Sequence, residues 1–155
     1  MTARKDGQLI RKILKGENKM LLDLENLFSD NQAITADAAS TNVINLADGK
    51  YKEAAFGTPI PLYIQVTEDF AALTSLNIQV QTAEDEAFTT PVTLTETGAI
   101  AAAALKAGYA APINFIPKGN KGYMRLYYDV TGSNATAGKI TAGIVAGDEG
   151  SYHNM

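Results

Sequence analysis

Three consecutive carboxylates, Glu84-Asp85-Glu86, are the densest cluster in the chain of groups that could do chemistry. Hard oxygen ligands on a loop suit calcium, but a calcium loop spaces its ligands at alternate positions around a glycine bend, and this run has neither feature. A solvated acidic tip is the expectation. Paired carboxylates for glycoside hydrolysis could be drawn from Glu68, Asp69, Glu96 and Asp129, although spacing along a chain does not say which of them face each other. The only histidine, His153, stands two residues from the last position. A base at such a place is poorly held, so neither a histidine-based triad nor a histidine zinc site is expected. The chain has no cysteine, which removes disulfides, thiolate metal sites and cysteine redox chemistry. Gly119 to Gly122 runs into a strand pattern, whereas a phosphate cradle needs a helix N-terminus behind it. These residues predict a binding or structural protein, not an enzyme, with no metal and no cofactor.

The acidic tip ends the stretch around which the chain is organised, Ser75 to Phe88. Leu76, Ile78 and Val80 alternate with Asn77, Gln79 and Gln81, the period of a strand with one buried and one wet face. The carboxylates cannot be buried without partners, so the chain surfaces and turns before Phe88 returns to the core. Similar alternation marks Leu62 to Thr67, with Leu62, Ile64 and Val66 inward, and Tyr123 to Val130, with Met124, Leu126, Tyr128 and Val130 inward. Shorter strands are predicted at Asn42 to Leu46, Val92 to Glu96, Ile113 to Ile116 and Lys139 to Ala146, with Asp48-Gly49 a turn and Thr131 to Gly138 a loop. The alanine-rich run from Ala99 to Leu105 has helical propensity, but Gly98 and Gly108 leave it little more than two turns, and a loop or a flat strand fits as well. About eight short strands with frequent turn signals predict an all-β, jelly-roll-type β-sandwich.

The length of 155 residues fits one domain, and 46% apolar with 19% charged residues is a globular composition. No apolar run reaches the roughly 20 residues of a membrane span. Met20-Leu21-Leu22 is cut by Asp23 and Glu25, so no secretory segment is read there and the protein is expected to stay in the cell that makes it. Charge is uneven: residues 1–20 hold six bases against two acids, a net +4, which leaves −8 on the rest of a chain whose total is −4. An acidic body repels phosphate, so direct nucleic-acid binding is not expected despite the basic arm.

Within that arm Leu9, Ile10, Ile13 and Leu14 recur at helical spacing among Arg11, Lys12 and Lys15, with Gly16 behind them. The pattern predicts a short amphipathic helix that needs a partner surface, because two turns are not stable alone. Leu21, Leu24, Leu27 and Phe28 form a second such segment. The resulting division is a basic arm over 1–19, a β-sandwich domain over 20–147 and a flexible tail over 148–155. Tyr63, Tyr123, Arg125 and Tyr127 fall on outer faces, where such residues serve either an intermolecular contact or cross-strand pairs on an exposed sheet.

Several stretches occur in a telling order: LFSDNQAIT from Leu27, STNVINL from Ser40, QVQTAEDEAF from Gln79, and YMRLYY from Tyr123 before a loop ending TAGK. Together, over residues 20–146, they resemble the capsid cement (decoration) proteins of short-tailed bacteriophages, and residues 1–19 lie outside the likeness. The resemblance implies a jelly-roll subunit, a homodimer or other homo-oligomer, carried on the outer surface of the virion. Its partner would be the major capsid protein, whose neighbouring capsomers it bridges. On this reading Leu9, Ile10, Arg11, Lys12, Ile13, Leu14 and Lys15 anchor the arm on a neighbour, while Tyr63, Tyr123, Arg125 and Tyr127 make an oligomer or shell contact. The rival expectation is a carbohydrate-binding β-sandwich module of a phage tail or adhesin, using the same tyrosines against sugar rings. The absence of tryptophan weighs against it.

Overall fold

The computed structural model describes residues 11–13, 20–45 and 60–148, with side chains described over 26–45 and 60–145. It is all-β: β1 (Arg11–Ile13), β2 (Met20–Ala33), β3 (Ala38–Ala39), β4 (Ile44–Asn45), β5 (Ile60–Ala83), β6 (Val92–Glu96), β7 (Ile100–Ala101), β8 (Phe115–Ile116) and β9 (Tyr123–Asp148). One 3₁₀ turn, Ala102–Ala104, follows β7. All pairings are antiparallel, and the main path through the sheet is β1-β2-β9-β5-β6.

Two long strands, β5 and β9, form the spine. Their ladder runs from Leu62 opposite Ile144 to Ala83 opposite Tyr123, and its register slips repeatedly between Val66 and Ser75. Those slips are bulges, which bend a ladder without ending it. Ala72, Gly132 and Gly138 lie in the bulged zone with positive φ. In one half β9 lies between β5 and β2, and β8 borders β5. In the other half β3 and β4 flank β9, while β6 and β7 flank β5.

Both halves contribute to one core. Leu62, Ile64, Val66 and Ile140 from the first half join Leu76, Ile78, Val80, Met124, Leu126 and Tyr128 from the second, all buried in a single cluster with Phe28 and Ile34. The predicted inward residues of these strands are buried, except that Val130 is only half-buried, whereas Gln81, on the phase expected to be wet, is buried as well. Tyr128 ties the halves: its hydroxyl lies 2.7 Å from Ser29 Oγ, and Ser29 in turn donates to Gln32 Oε1 at 2.6 Å. Since the serine proton is used on Gln32, the tyrosine is the donor in the first bond. Gln32 then fixes the following loop through Ala39 C=O and Thr41 N–H.

The segment after the 3₁₀ turn runs irregularly along the free edge of β5. Phe70 N–H donates to Leu105 C=O, Val66 N–H to Tyr109 C=O, and Leu62 N–H to Asn114 C=O. Leu105, fully buried, plugs the core from this side. The alanine run is therefore a two-residue strand and one tight turn, with no room for a longer helix between Gly98 and Gly108.

Three expectations are corrected. Residues 11–13, expected in an amphipathic helix, form strand β1, with Arg11 opposite Asp23. Two helical turns gain little alone, whereas the edge of β2 offers backbone partners immediately. The second supposed amphipathic segment belongs to β2, and the alternation of Leu22 and Leu24 with Asp23 and Glu25 suits a strand equally. Thr131 to Gly138, expected as a loop between two strands, lies within the continuous β9. Leu9, Ile10, Leu14, Lys15, the turn at Asp48-Gly49, residues 149–155 and His153 lie outside the described residues.

Candidate interaction face

Residues paired across an antiparallel ladder project to the same side of the sheet. On the outer side of the sheet in the second half are therefore Tyr123 beside Ala83, Arg125 beside Gln81, Tyr127 beside Gln79 and Asp129 beside Asn77, with Ala83 and Gln81 buried and the others half-buried. On β6, Thr93 and Glu96 extend this face next to Gln81 and Gln79.

Arg125 is the centre of the face. Its Nε donates to Gln81 Oε1 at 2.9 Å, Gln81 Nε2 donates to Gln79 Oε1 at 2.9 Å, and Thr93 Oγ1 donates to the same oxygen at 3.3 Å. The guanidinium carbon lies 4.3 Å from the centroid of Phe88 and 5.6 Å from that of Tyr127, both within the range of cation–π attraction. Partial burial pulls the arginine pKa below its ordinary value, and the tyrosine at 127 opposes that shift. The group remains a cation at any physiological pH, because an arginine starts so far above neutrality.

The acidic tip holds up the ring under Arg125. Phe88 N–H donates to Asp85 C=O at 3.1 Å, and the Asp85 carboxylate accepts from the Thr89 hydroxyl at 2.8 Å and its N–H at 3.1 Å. The Thr89 hydroxyl, then its backbone N–H, lower the Asp85 pKa. Glu84 makes a loose ion pair with Lys121 at 3.9 Å, and Glu86 is exposed. The carboxylate run is thus a closed turn around Asp85, with a glutamate exposed on either side.

The other candidate carboxylates separate into two places. Glu68 pairs with Lys139 at 3.0 Å and accepts from Gly138 N–H, contacts that lower its pKa, the lysine bond most. Asp69 accepts from Ala107 N–H at 2.7 Å and pairs with Lys106 at 3.5 Å; the backbone bond is the main cause of its lowered pKa. Both brace the bulged zone. Glu96 accepts from Asn77 Nδ2 at 2.8 Å while Asp129 lies opposite Asn77 in register, which sets these two carboxylates on the outer face about one asparagine. Among the described residues no three histidine, cysteine or acidic side chains converge as a metal site would require.

The structure brings Tyr123, Arg125 and Tyr127 together and leaves Tyr63 apart. Tyr63 lies opposite Gly143 in the first half, where it packs with Leu27 and Val145 in a small apolar cluster of its own. Burial raises its hydroxyl pKa. Arg11, Lys12 and Ile13 run along the edge of β2, as far as their backbone is described. Sequence reasoning missed Phe88 and the two glutamines as partners of Arg125. Gln79 and Gln81 already stood on the wet phase of their strand, but the turn that swings Phe88 beneath an arginine some forty residues later left no local signal.

A second surface feature is a shallow groove of about 290 Å³ lined by Thr95, Glu96, Thr97, Pro112, Ile113, Asn114 and Phe115. Phe115 leaves 45% of its surface exposed beside it.

Comparison with known proteins adds a family. The Bbp16 family model matches residues 28–144, most of the chain and nearly all of its β body. No curated protein matches the chain.

Proposed function

This chain belongs to the Bbp16 family, and we propose that it is a structural cement protein of a bacteriophage head. It binds the outer surface of the assembled major capsid shell and bridges neighbouring capsomers. The observation that carries this reading is the outer face around Arg125. An arginine stacked on an aromatic ring, with tyrosines on either side, is the composition of protein contact sites. The motif order that resembles decoration proteins supports it from the sequence side.

On this reading the β body is a jelly-roll sandwich and works as a homodimer or other homo-oligomer, made in the host cytoplasm and carried on the virion. Cementing is binding work without chemistry. A clamp that fits only correctly spaced capsomers stabilises the shell through its differential affinity for that spacing, and repetition over symmetric sites multiplies a modest contact. The arm residues Leu9 to Lys15 meet a neighbouring subunit from the edge of the sheet, where Arg11–Ile13 pair with β2, with their bases against an acidic rim.

The test is cosedimentation of the purified chain with emptied, expanded heads of its own phage, followed by imaging of the decorated shells. Saturable binding at symmetry-related outer positions is expected. Deleting residues 1–19 should weaken attachment about tenfold or more while the β body still melts cooperatively; unchanged occupancy would remove the arm from the interface.

A second reading, a carbohydrate-binding module, is favoured by the groove, where exposed Phe115 stands beside Glu96 and Asn114. Aromatic faces with convergent polar groups are how such sites hold sugars. Glycan binding that is lost in Phe115→Ala, with no attachment to shells, would establish it instead.

A further inference from the structure

Lys106, Lys121 and Lys139 each stand within ion-pair distance of a carboxylate, and Lys118, which has no such partner among the described residues, is exposed to solvent. Arg125 also lacks one: among the described residues no acid reaches its guanidinium, although it is half-buried and more costly to leave unpaired than a solvated lysine. Its Nε is engaged by Gln81 and its flat face by Phe88, while its terminal nitrogens meet no acceptor among the described residues. Phe88 holds its ring there from a left-handed backbone, φ +52°, that a non-glycine residue adopts only under constraint. Strain kept at the residue that cradles a cation points to a use for that cation.

We infer that Arg125 is a preorganised receptor for one carboxylate, and that its outward fork takes an aspartate or glutamate side chain of the shell protein as the anchor of the outer-face contact. This rests on the cement reading and adds the chemistry of the partner. A guanidinium already fixed at its Nε and its face loses little freedom when a planar carboxylate takes the remaining donors. The neighbours narrow the choice further. Glu84 and Glu86 are exposed on the adjoining turn and Asp129 lies on the same face, so a strand of phosphates would meet repulsion on several sides. A protein patch with one acid ringed by bases complements the whole face.

The test uses full-length protein and emptied, expanded heads, and compares wild type with Arg125→Lys, Arg125→Gln and Phe88→Leu, each verified by thermal melting. Arg125→Lys retains the charge but loses the fork and the stack. Both arginine variants are expected to bind about tenfold or more weaker than wild type, and Phe88→Leu by an intermediate factor. Wild-type strength in Arg125→Lys would overturn the receptor, leaving only general charge attraction, while the cement reading stood. Absence of wild-type binding would overturn both. A folded Phe88→Leu that binds like wild type would overturn the claim that the ring prepares the arginine.

Discussion

Gly138→Ala is expected to lower stability by about 3–5 kcal/mol, the sum of backbone strain and overpacking. Gly138 has φ +137°, and a Cβ built there would lie 2.4–2.6 Å from three atoms of the Phe70 ring. That ring has nowhere to go, because Phe70 is buried in the main core and its N–H is bonded to Leu105 C=O. The glycine is also tied on both sides of its peptide, its carbonyl accepting from Ile34 N–H and its own N–H reaching Glu68. At about 2–4 °C per kcal/mol for a domain of this size, the melting midpoint should fall by roughly 10 °C or more. Calorimetry reads the shift directly. Adding Phe70→Leu to the alanine variant should restore part of the loss by removing the ring, but not the part due to φ; full restoration would mean that the backbone strain is unimportant.

Tyr128→Ala should cost a similar amount, about 3–5 kcal/mol, by emptying a side chain that is the largest fully buried one among the described residues and lies at the junction of the two halves. Tyr128→Phe separates volume from hydrogen bonding and should cost only about 1 kcal/mol, because it removes the bond to Ser29 and leaves the packing. The hydroxyl also carries a pH dependence. Burial raises the Tyr128 pKa far above its usual value, so the folded state keeps the proton where an unfolded tyrosine, with a pKa of about 10, would release it. The contribution is therefore complete below about pH 10 and is lost as pH rises beyond it, since the unfolded state then binds fewer protons than the folded one. Alkaline denaturation followed by circular dichroism should show a steep loss in wild type and a shallower one in Tyr128→Phe.

The inward and outward phases of the strands were legible in the sequence because a period of two depends only on which residues are apolar. Leu62-Ile64-Val66, Leu76-Ile78-Val80 and Met124-Leu126-Tyr128 are buried as their alternation predicts, and β6 has the bounds read for it. Continuity was not legible. Gly132 and Gly138 look like loop punctuation in one dimension, but the structure uses them as bulge positions that allow close approach to Thr74 and Phe70 while pairing continues. Helix and strand also compete on equal terms in short apolar runs, and for Arg11–Ile13 nothing in the run itself announces the strand edge it joins some ten residues on. At the candidate face the arginine and its two tyrosine neighbours could be placed from one strand's alternation. Tyr63 lies apart from them, since the register slips along β5 put its two ends in different halves.

The spine of β5 and β9 also sets a timetable. Its nearest pair, Ala83 with Tyr123, closes a long loop, and its most distant, Leu62 with Ile144, a loop about twice as long. Such remote contacts place a chain among slow folders, on the order of milliseconds to seconds, because closure entropy precedes any reward. During synthesis β5 leaves the ribosome well before its partner exists, at roughly 5–20 residues per second, so 24 residues of strand wait with an open edge for several seconds. Glu68, Asp69 and the carboxylates at 84–86 punctuate and terminate that waiting strand. Charges within and at the end of an open strand oppose its pairing with another copy, and the need for them lapses once β9 covers that edge.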